Sequence, residues 1–120
     1  MTMKRGDIIF PSIKIFVSER MNHGDVLREI ECGVEEESVP CEIFRFEEDD
    51  CVSMAYRAAR ESVLEVGIGV DCSGCLSVHY RKLPEDSPLF RIDYMGEFSR
   101  IRSVCSNAAR LVKGTPFILE

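Results

Sequence analysis

Three adjacent glutamates are the main candidates for chemistry in this sequence. Glu35, Glu36 and Glu37 close a predicted helix that cannot continue past Pro40. Neighbouring carboxylates repel one another, and the negative end of the helix dipole adds to that cost, so the arrangement favours a nearby cation. A hard cation such as Mg²⁺ prefers carboxylate oxygens. On the residues alone, a cation site and a solvated acidic helix end are both open interpretations of this turn.

Two further residues, Cys72 and Cys75, have the spacing of half a zinc site or of a redox-active pair. Between them, Ser73-Gly74 is typical of a two-residue hairpin turn. The sequence offers neither the second pair that a zinc site needs nor a helix that would activate a thiol, so we expect a turn with free thiols; a disulfide or metal chemistry are the alternatives. The other cysteines fall in regular apolar patterns and are expected to be reduced core thiols: Cys32, Cys41, Cys51 and Cys105.

Motifs for catalysis or nucleotide binding do not emerge from the rest of the sequence. Gly67-Ile68-Gly69 precedes a predicted hairpin rather than a helix, so it indicates close helix packing on a strand instead of a phosphate-binding loop. His23 and His79 are far apart and have no evident acid–base partner. We therefore predict no catalytic residues, no cofactor-binding residues and no enzyme activity for the chain by itself.

Charge and composition limit the classes of partner. The 120 residues carry a net charge of −6, with acidic clusters at residues 35–37 and 47–50. This balance repels nucleic-acid phosphates and anionic membranes. Residues 1–7 lack a signal-peptide core, and no segment approaches the ~20 apolar residues that span a bilayer. We expect a cytoplasmic protein whose partners are proteins or metal ions.

Apolar periodicity divides the chain into alternating strands and helices. Strands are predicted at residues 13–17, 41–46, 64–70, 76–80 and 89–94, and helices at 25–37, about 50–60 and 100–113. Asp25 is the expected cap of the first helix, and Asp49 or Asp50 that of the second. The run 64–70 is apolar on both faces and belongs in the middle of a sheet. Residues 71–75 are too few for a parallel crossover, so the next strand must return antiparallel.

These elements predict a three-layer α/β/α domain, residues 13–120, preceded by a loose N-terminal extension at residues 1–12. The expected sheet is mixed and five-stranded, with one antiparallel strand. The final helix has the clearest pattern, with apolar residues on one side and a polar side made of Arg100, Arg102, Asn107, Arg110 and Lys113. Gly114 is expected to end this helix, and Arg110 and Lys113 complement its dipole.

Several short motifs, taken together, resemble one known family. They are Val66-Gly67-Ile68-Gly69-Val70-Asp71, Val78-His79-Tyr80, Ser87-Pro88-Leu89-Phe90 and Asn107-Ala108-Ala109-Arg110-Leu111-Val112-Lys113-Gly114-Thr115-Pro116-Phe117. With these motifs the chain resembles the small subunit of the diol/glycerol dehydratase reactivase; the segment from Ile13 to Pro40 matches more weakly. The fold implied by the resemblance is that of the dehydratase medium subunit, which is similar to the anticodon-binding domain, in agreement with the predicted layers.

The resemblance implies a chaperone-like accessory subunit. Such a subunit pairs with a large actin-like, Hsp70-like ATPase subunit in a heterotetramer with two copies of each, and the complex releases damaged cobalamin from an inactivated coenzyme-B12-dependent dehydratase. The small subunit resembles the dehydratase medium subunit, which implies subunit exchange. ATP or ADP would bind to the partner, and a chain left alone would be free to self-associate. A diol or a glycerol dehydratase as target, and a location free in the cytoplasm or in a bacterial microcompartment, stay open.

The resemblance also assigns roles to residues of the glutamate turn. In the family the middle glutamate, here Glu36, reaches across the subunit interface towards the Mg²⁺ held by the large subunit. Ser38 stands where the family pattern has glycine, and this difference affects the conformation of the turn and therefore the direction of the Glu36 side chain. Four more residues are candidates for the partner interface: Glu35, Glu37, Arg110 and Lys113.

Other functions remain as alternatives. The dehydratase medium subunit itself shares this fold, but it is a longer chain with an additional N-terminal region, whereas the first strand here is predicted near Ile13. A free-standing ligand or redox module would use the carboxyl edge of the sheet, and its support is Cys72 and Cys75. RNA binding is suggested by fold analogy alone and conflicts with the acidic balance.

Overall fold

The computed structural model describes residues 11–48 and 50–119. Its strands are β1 (Ile13–Ser18), β2 (Cys41–Phe46), β3 (Val66–Val70), β4 (Cys75–Tyr80) and β5 (Phe90–Asp93), and its helices are α1 (Gly24–Glu35), α2 (Cys51–Glu61) and α3 (Ile101–Lys113), the last preceded by a 3₁₀ turn at Phe98–Arg100. Within these described ranges, none of the helices has both the length and the apolar character needed to cross a membrane. The division into an extension at residues 1–12 and a domain at 13–120 stays a prediction, since residues 1–10 lie outside the described part.

The sheet has the strand order β2-β1-β3-β4-β5. β1 pairs in parallel with β2 and with β3, and the helical crossovers α1 and α2 make these pairings possible. β4 is antiparallel to both of its neighbours, β3 and β5. Among the strands of the described residues, β4 therefore runs opposite to the other four, and the predicted mixed sheet with one antiparallel strand is confirmed.

Helices cover both faces of the sheet. On one face, Ile13, Ile15 and Val17 of β1 belong to the main core with buried residues of α1 and α3. On the other face, Phe16 of the same strand packs with Met54 of α2. Alternate residues of one strand thus enter different cores, as the pleat requires. The predicted three-layer α/β/α architecture is confirmed.

The central strand β3 lies very close to α2. A Cβ atom at Gly67 would overlap the backbone of Ala59, and one at Gly69 would overlap the carbonyl group of Cys51. The two glycines therefore allow the helix to sit directly on the strand, which confirms their expected packing role. β3 begins two residues later than predicted, because Glu65 has a φ of 66°, a left-handed conformation that an extended strand does not contain.

The helix starts differ in detail from their predicted caps. Asp25 lies inside the first turn of α1, where its Oδ1 accepts a hydrogen bond from the backbone N–H of Val26 at 2.9 Å, so the predicted N-cap role is wrong. Asp50 caps α2 as expected, since its carboxylate accepts from the N–H of Ser53 at 3.2 Å. The alternative cap, Asp49, lies outside the described residues.

The hairpin between β3 and β4 is organised by one carboxylate. Oδ1 of Asp71 accepts hydrogen bonds from the N–H groups of Ser73, Gly74 and Cys75 at 2.9, 3.0 and 2.8 Å. The N–H of Asp71 in turn donates to the carbonyl oxygen of Cys75 at 3.0 Å. Three residues thus lie between this bonded pair, and the turn is one residue longer than the predicted one.

A disulfide joins Cys75 to Cys51, the first residue of α2, with Cα atoms 6.0 Å apart, a normal separation for such a bond. The expectations of a reduced thiol at Cys51 and a free thiol at Cys75 are therefore wrong. Local patterns could not show the pairing, because the two residues meet only when α2 packs over the hairpin. Of the other predicted core thiols, Cys41 has a pKa that burial raises to about 12 and Cys105 a pKa that burial also raises, so both stay protonated at neutral pH.

The C-terminus of α3 follows its predicted pattern, except at Asn107. Gly114 ends the helix with a φ of 72°, and the next N–H, of Thr115, donates to the carbonyl oxygen of Arg110 at 2.9 Å. Asn107, predicted on the polar side, is instead buried, with 6% of its surface exposed. Its side chain is covered because the tail after Gly114 folds back over the helix and bonds to it through Ile118.

Candidate functional site

The candidate site begins where α1 crosses α3. At Gly33 a Cβ atom would lie 2.5 Å from the carbonyl oxygen of Arg102 and 2.9 Å from Cβ of Cys105, so only a glycine permits this close approach. The hydroxyl of Ser106 donates across the crossing to the carbonyl oxygen of Gly33 at 2.9 Å. The two helices are therefore in backbone contact, and side chains on the exposed edge of α3 can reach the end of α1.

The three glutamates at the end of α1 and in the turn that follows it differ in their exposure to solvent. The N–H of Glu36 donates to the carbonyl oxygen of Cys32 at 2.9 Å, and the N–H of Ser38 donates to that of Glu35 at 2.9 Å. Ser38 has a φ of 61°, the left-handed conformation that glycine adopts most readily. Serine thus takes up the same kind of turn that a glycine would form here. Within the turn, Glu35 and Glu36 are exposed, whereas Glu37 is half-buried.

Glu37 is held by two basic residues of α3. Its carboxylate accepts hydrogen bonds from Nζ of Lys113 at 2.9 Å and from Nε of Arg110 at 3.1 Å. The hydrogen bond from Lys113 is the main reason why the pKa of Glu37 is lowered from 4.5, and Arg110 adds to it. Three of the residues predicted for a partner interface are thus brought together, and they are engaged with one another across the α1–α3 crossing.

Glu36, the predicted metal ligand, is bound within the chain. Its Oε2 accepts a hydrogen bond from the guanidinium group of Arg102 at 3.1 Å, and its Oε1 lies 3.4 Å from the hydroxyl of Ser106. Even so, 48% of its side chain is exposed. Carboxylate oxygens are the ligand type that Mg²⁺ prefers, and one open to solvent can be reached by a cation outside the chain. The carboxylate of Glu36 is therefore a suitable ligand for an Mg²⁺ ion that another chain also binds.

Arg102 and Glu29 belong to this site and were missed at the level of sequence. The guanidinium group of Arg102 donates to both carboxylate oxygens of Glu29, at 2.7 and 3.1 Å, and these bonds are the main reason why its pKa is raised. The signal in the sequence is one of spacing: Glu36, which follows α1 directly, is seven residues after Glu29, and Arg102 and Ser106 are four apart on α3. Neither spacing reveals that one pair faces the other.

A second cluster of potential ligands lies at the β3–β4 hairpin. Atoms of Cys51, Asp71 and Cys75 that could bind a metal all lie within 4.8 Å of one another. The two sulfurs are bonded to each other, and Oδ1 of Asp71 already accepts three N–H groups, so this cluster is a crosslinked hairpin. Cys72 and Cys75 do not form the redox pair that their spacing suggested, because Cys75 bonds to Cys51.

The predicted histidines serve structural roles in the described part of the chain. His79 is fully buried, and its Nδ1 accepts a hydrogen bond from the N–H of Tyr80 at 3.0 Å. Nδ1 also lies 3.1 Å from the carbonyl oxygen of Tyr80, and Nε2 lies 3.0 Å from that of Glu85. His23 precedes α1 and packs edge-on against Tyr94. Both rings thus have structural contacts that account for their positions.

Comparison with known proteins gives a consistent result along the chain. Residues 10–118 match the family model described as "Dehydratase medium subunit". The propanediol dehydratase-reactivating factor small subunit of Citrobacter freundii is 43% identical over 108 residues, covering 89% of this chain and 90% of that protein. The diol dehydratase-reactivating factor small subunit of Klebsiella michiganensis is 42% identical over 90 residues, or 75% of this chain and 71% of that protein.

Solved structures show the same relationship in three dimensions. A chain of a glycerol dehydratase reactivase superposes with a TM-score of 0.86 at 32% identity, covering 91% of this chain and 97% of that one. A chain from a diol dehydratase-reactivating factor complexed with ADP and Mg²⁺ superposes with a TM-score of 0.84 at 39% identity, covering 92% and 99%. The similarity therefore extends over nearly the whole fold.

Proposed function

The chain belongs to the dehydratase medium subunit family and, within it, to the small subunits of dehydratase-reactivating factors, and from this premise we propose that it is the accessory subunit of an ATP-dependent reactivase. The observation that carries the proposal is the extent of the match, which covers about nine-tenths of both this chain and the Citrobacter freundii protein at 43% identity. The partner is a large actin-like, Hsp70-like ATPase subunit, in a heterotetramer with two copies of each chain. The large subunit binds and hydrolyses ATP, and this chain supplies a binding surface.

The complex releases damaged cobalamin from an inactivated coenzyme-B12-dependent diol or glycerol dehydratase. This chain has the fold of the dehydratase medium subunit family, so it exchanges with that subunit on the large reactivase subunit. Binding free energy at the shared surface offsets the dehydratase contacts that are lost, and the nucleotide state of the large subunit biases which partner is held. Intact coenzyme then binds to the emptied dehydratase.

Glu36 is the residue of this chain that meets the metal at the subunit interface. Its carboxylate follows the end of α1 and is held by side chains of α3. Because it is also about half exposed, a partner can still reach it. Mg²⁺, when bound, would link this carboxylate to the nucleotide site of the large subunit. The diol dehydratase-reactivating factor solved with ADP and Mg²⁺ supports the choice of metal. Glu35, Glu37, Arg110 and Lys113 are further residues of the proposed interface.

The test is the binding of this chain to the large subunit, measured by calorimetry with Mg²⁺·ADP and again with the metal chelated. Glu36→Gln keeps the shape of the side chain and removes its charge, so we expect it to abolish most of the difference between the two conditions and to slow dehydratase reactivation. Glu61→Gln is the matched control, since it makes the same change at an exposed glutamate that ends α2, on the opposite face of the sheet. Unchanged metal dependence in Glu36→Gln would rule out the role of this residue, and failure to bind any large subunit would rule out the reactivase function.

A second candidate is a component of the dehydratase itself. It is favoured by the family model, which is described by the medium subunit and matches residues 10–118. Coexpression with both sets of partners separates the two functions. Purification with a dehydratase catalytic subunit and with retained cobalamin colour would support the second candidate, whereas purification with the ATPase subunit supports the first.

A further inference from the structure

Arg102 is shared unequally between Glu29 of α1 and Glu36, which follows that helix. It makes two hydrogen bonds to Glu29, through Nε at 3.1 Å and a terminal nitrogen at 2.7 Å, and one to Glu36 through the other terminal nitrogen at 3.1 Å. Glu29 is also the more buried partner, with 24% of its side chain exposed against 48% for Glu36. A bidentate pair between less exposed groups is the stronger one. Glu36 is thus the weaker of the two contacts of Arg102.

The backbone fixes this arrangement independently of the ion pairs. Gly33 brings α1 against the carbonyl group of Arg102, and the bond from Ser106 to the Gly33 carbonyl holds the two helices in register. Neither of these backbone contacts, nor the two bonds from Arg102 to Glu29, involves Glu36. The Glu36 side chain, which follows the end of α1 and is half exposed, is the part that can move.

From this geometry we propose that Arg102 is the intramolecular counter-ion that Glu36 gives up when it engages the metal of the partner subunit. Arg102 is a positioning residue that neutralises Glu36 in the free chain and remains bound to Glu29 when Glu36 leaves. Glu29 sets how strongly Arg102 competes for Glu36. The inference rests on the proposed role of Glu36 and adds a regulator of the same site.

The pairing predicts effects of opposite sign at two residues that do not meet the metal. Arg102→Gln removes the competitor, so we expect binding to the large subunit with Mg²⁺·ADP to become tighter by about two- to five-fold, the range that corresponds to one exposed ion pair. Glu29→Gln frees Arg102 to bind Glu36 more strongly, so it should weaken the same binding by a similar factor. The double variant should behave like Arg102→Gln, because Glu29 acts through Arg102.

The control for net charge is Arg28→Gln, which removes one positive charge from an exposed position of α1. The affinity gain of Arg102→Gln over Arg28→Gln should vanish when the metal is chelated, and also when Glu36→Gln is added. Urea unfolding of each free variant measures stability separately; a merely structural Arg102 would give lower stability and weaker, metal-independent binding. If Arg102→Gln folds poorly, Glu29→Gln still tests the competition, because it should weaken binding to the large subunit.

The results of these variants distinguish the role of Arg102 from that of Glu36. If Glu36→Gln abolishes the metal dependence but Arg102→Gln binds like Arg28→Gln, the role of Arg102 is overturned and that of Glu36 stands. If Arg102→Gln and Glu29→Gln shift affinity in the same direction, the competition is likewise overturned. If Glu36→Gln leaves the metal dependence intact, both the proposed role of Glu36 and this inference are overturned.

Discussion

The side chain of Asn107 pairs with the backbone of Ile118 as though it were a neighbouring strand. Nδ2 donates to the carbonyl oxygen of Ile118 at 3.1 Å, and the N–H of Ile118 donates to Oδ1 at 2.6 Å. Phe117 adds an edge-on contact with Phe90 of β5, with ring centroids 5.4 Å apart. One buried amide on α3 thus ties down the tail that follows the helix and sets it against the edge of the sheet.

Asn107→Ala should release this tail. The substitution leaves two backbone groups of Ile118 without their protein partner, so we expect the free energy of unfolding to fall by about 1–3 kcal/mol. Urea denaturation measures the loss, and limited proteolysis should show earlier cleavage after Gly114. Asn22→Ala, at an exposed asparagine, is the matched control. Equal stability of the two variants would contradict the role assigned to Asn107.

Gly33→Ala should force α1 and α3 apart. The new methyl group would lie 2.5 Å from the carbonyl oxygen of Arg102, and overpacking of this kind costs about 1–3 kcal/mol of unfolding free energy. Gly24→Ala, in the same helix, meets nothing within 4 Å and should change stability by no more than about 1 kcal/mol in the favourable direction. Thermal unfolding compares the two, and a Gly33→Ala protein as stable as Gly24→Ala would refute the close crossing.

The bond between Cys51 and Cys75 makes stability depend on reductant. Under denaturing, non-reducing conditions four thiols should react with a thiol reagent, at Cys32, Cys41, Cys72 and Cys105, and after reduction all six cysteines should react. The crosslink spans 24 residues, so reduction should lower the free energy of unfolding by about 3.5 kcal/mol in the chain-entropy model.

Two serine variants test which cysteine of the hairpin forms the crosslink. Cys75→Ser should remove the sensitivity to reductant, whereas Cys72→Ser, the matched control three residues earlier, should retain it. Six reactive thiols in the unreduced protein, or an equal response of both variants, would contradict the crosslink.

Acid should weaken the contact between Glu37 and α3. In the folded chain the pKa of Glu37 is lowered from its ordinary 4.5, chiefly because of the hydrogen bond from Lys113. The stabilisation from ionised Glu37 is therefore complete above pH 4.5, the pKa in the unfolded chain. It is lost as the pH falls through the pKa of the folded chain. We expect the difference in unfolding free energy between the native chain and Glu37→Gln to be largest near neutral pH and to shrink below pH of about 4.5.

Glu35→Gln supplies the comparison for this titration, because Glu35 is exposed at the end of the same helix. Urea midpoints measured between neutral pH and about pH 3 give the two difference curves. A Glu37 curve that follows the Glu35 curve would show that the pairing with Lys113 and Arg110 does not contribute.

Local patterns were enough to predict the architecture. The apolar alternation in β1 and β2 and the spacing of Ile101, Val104 and Cys105 on α3 are short-range properties, and each corresponds to an observed element. The antiparallel direction of β4 followed from the short loop before it. Pairings that form in the folded chain could not be predicted in this way, because Arg102 and Glu29 are 73 residues apart, and Asn107 is buried by a tail that returns to it.

The crossing at Gly33 also has a consequence for folding. The contacts of Glu36 and Glu37 with α3 come from residues 66 to 76 positions later in the chain, so each of them closes a long loop that contains four of the five strands. Domains rich in contacts of long sequence separation fold more slowly than those with local contacts. A chain in which α3 has not packed against α1 would expose Glu36 without Arg102, so the pairing of Glu36 depends on the folding of the whole domain.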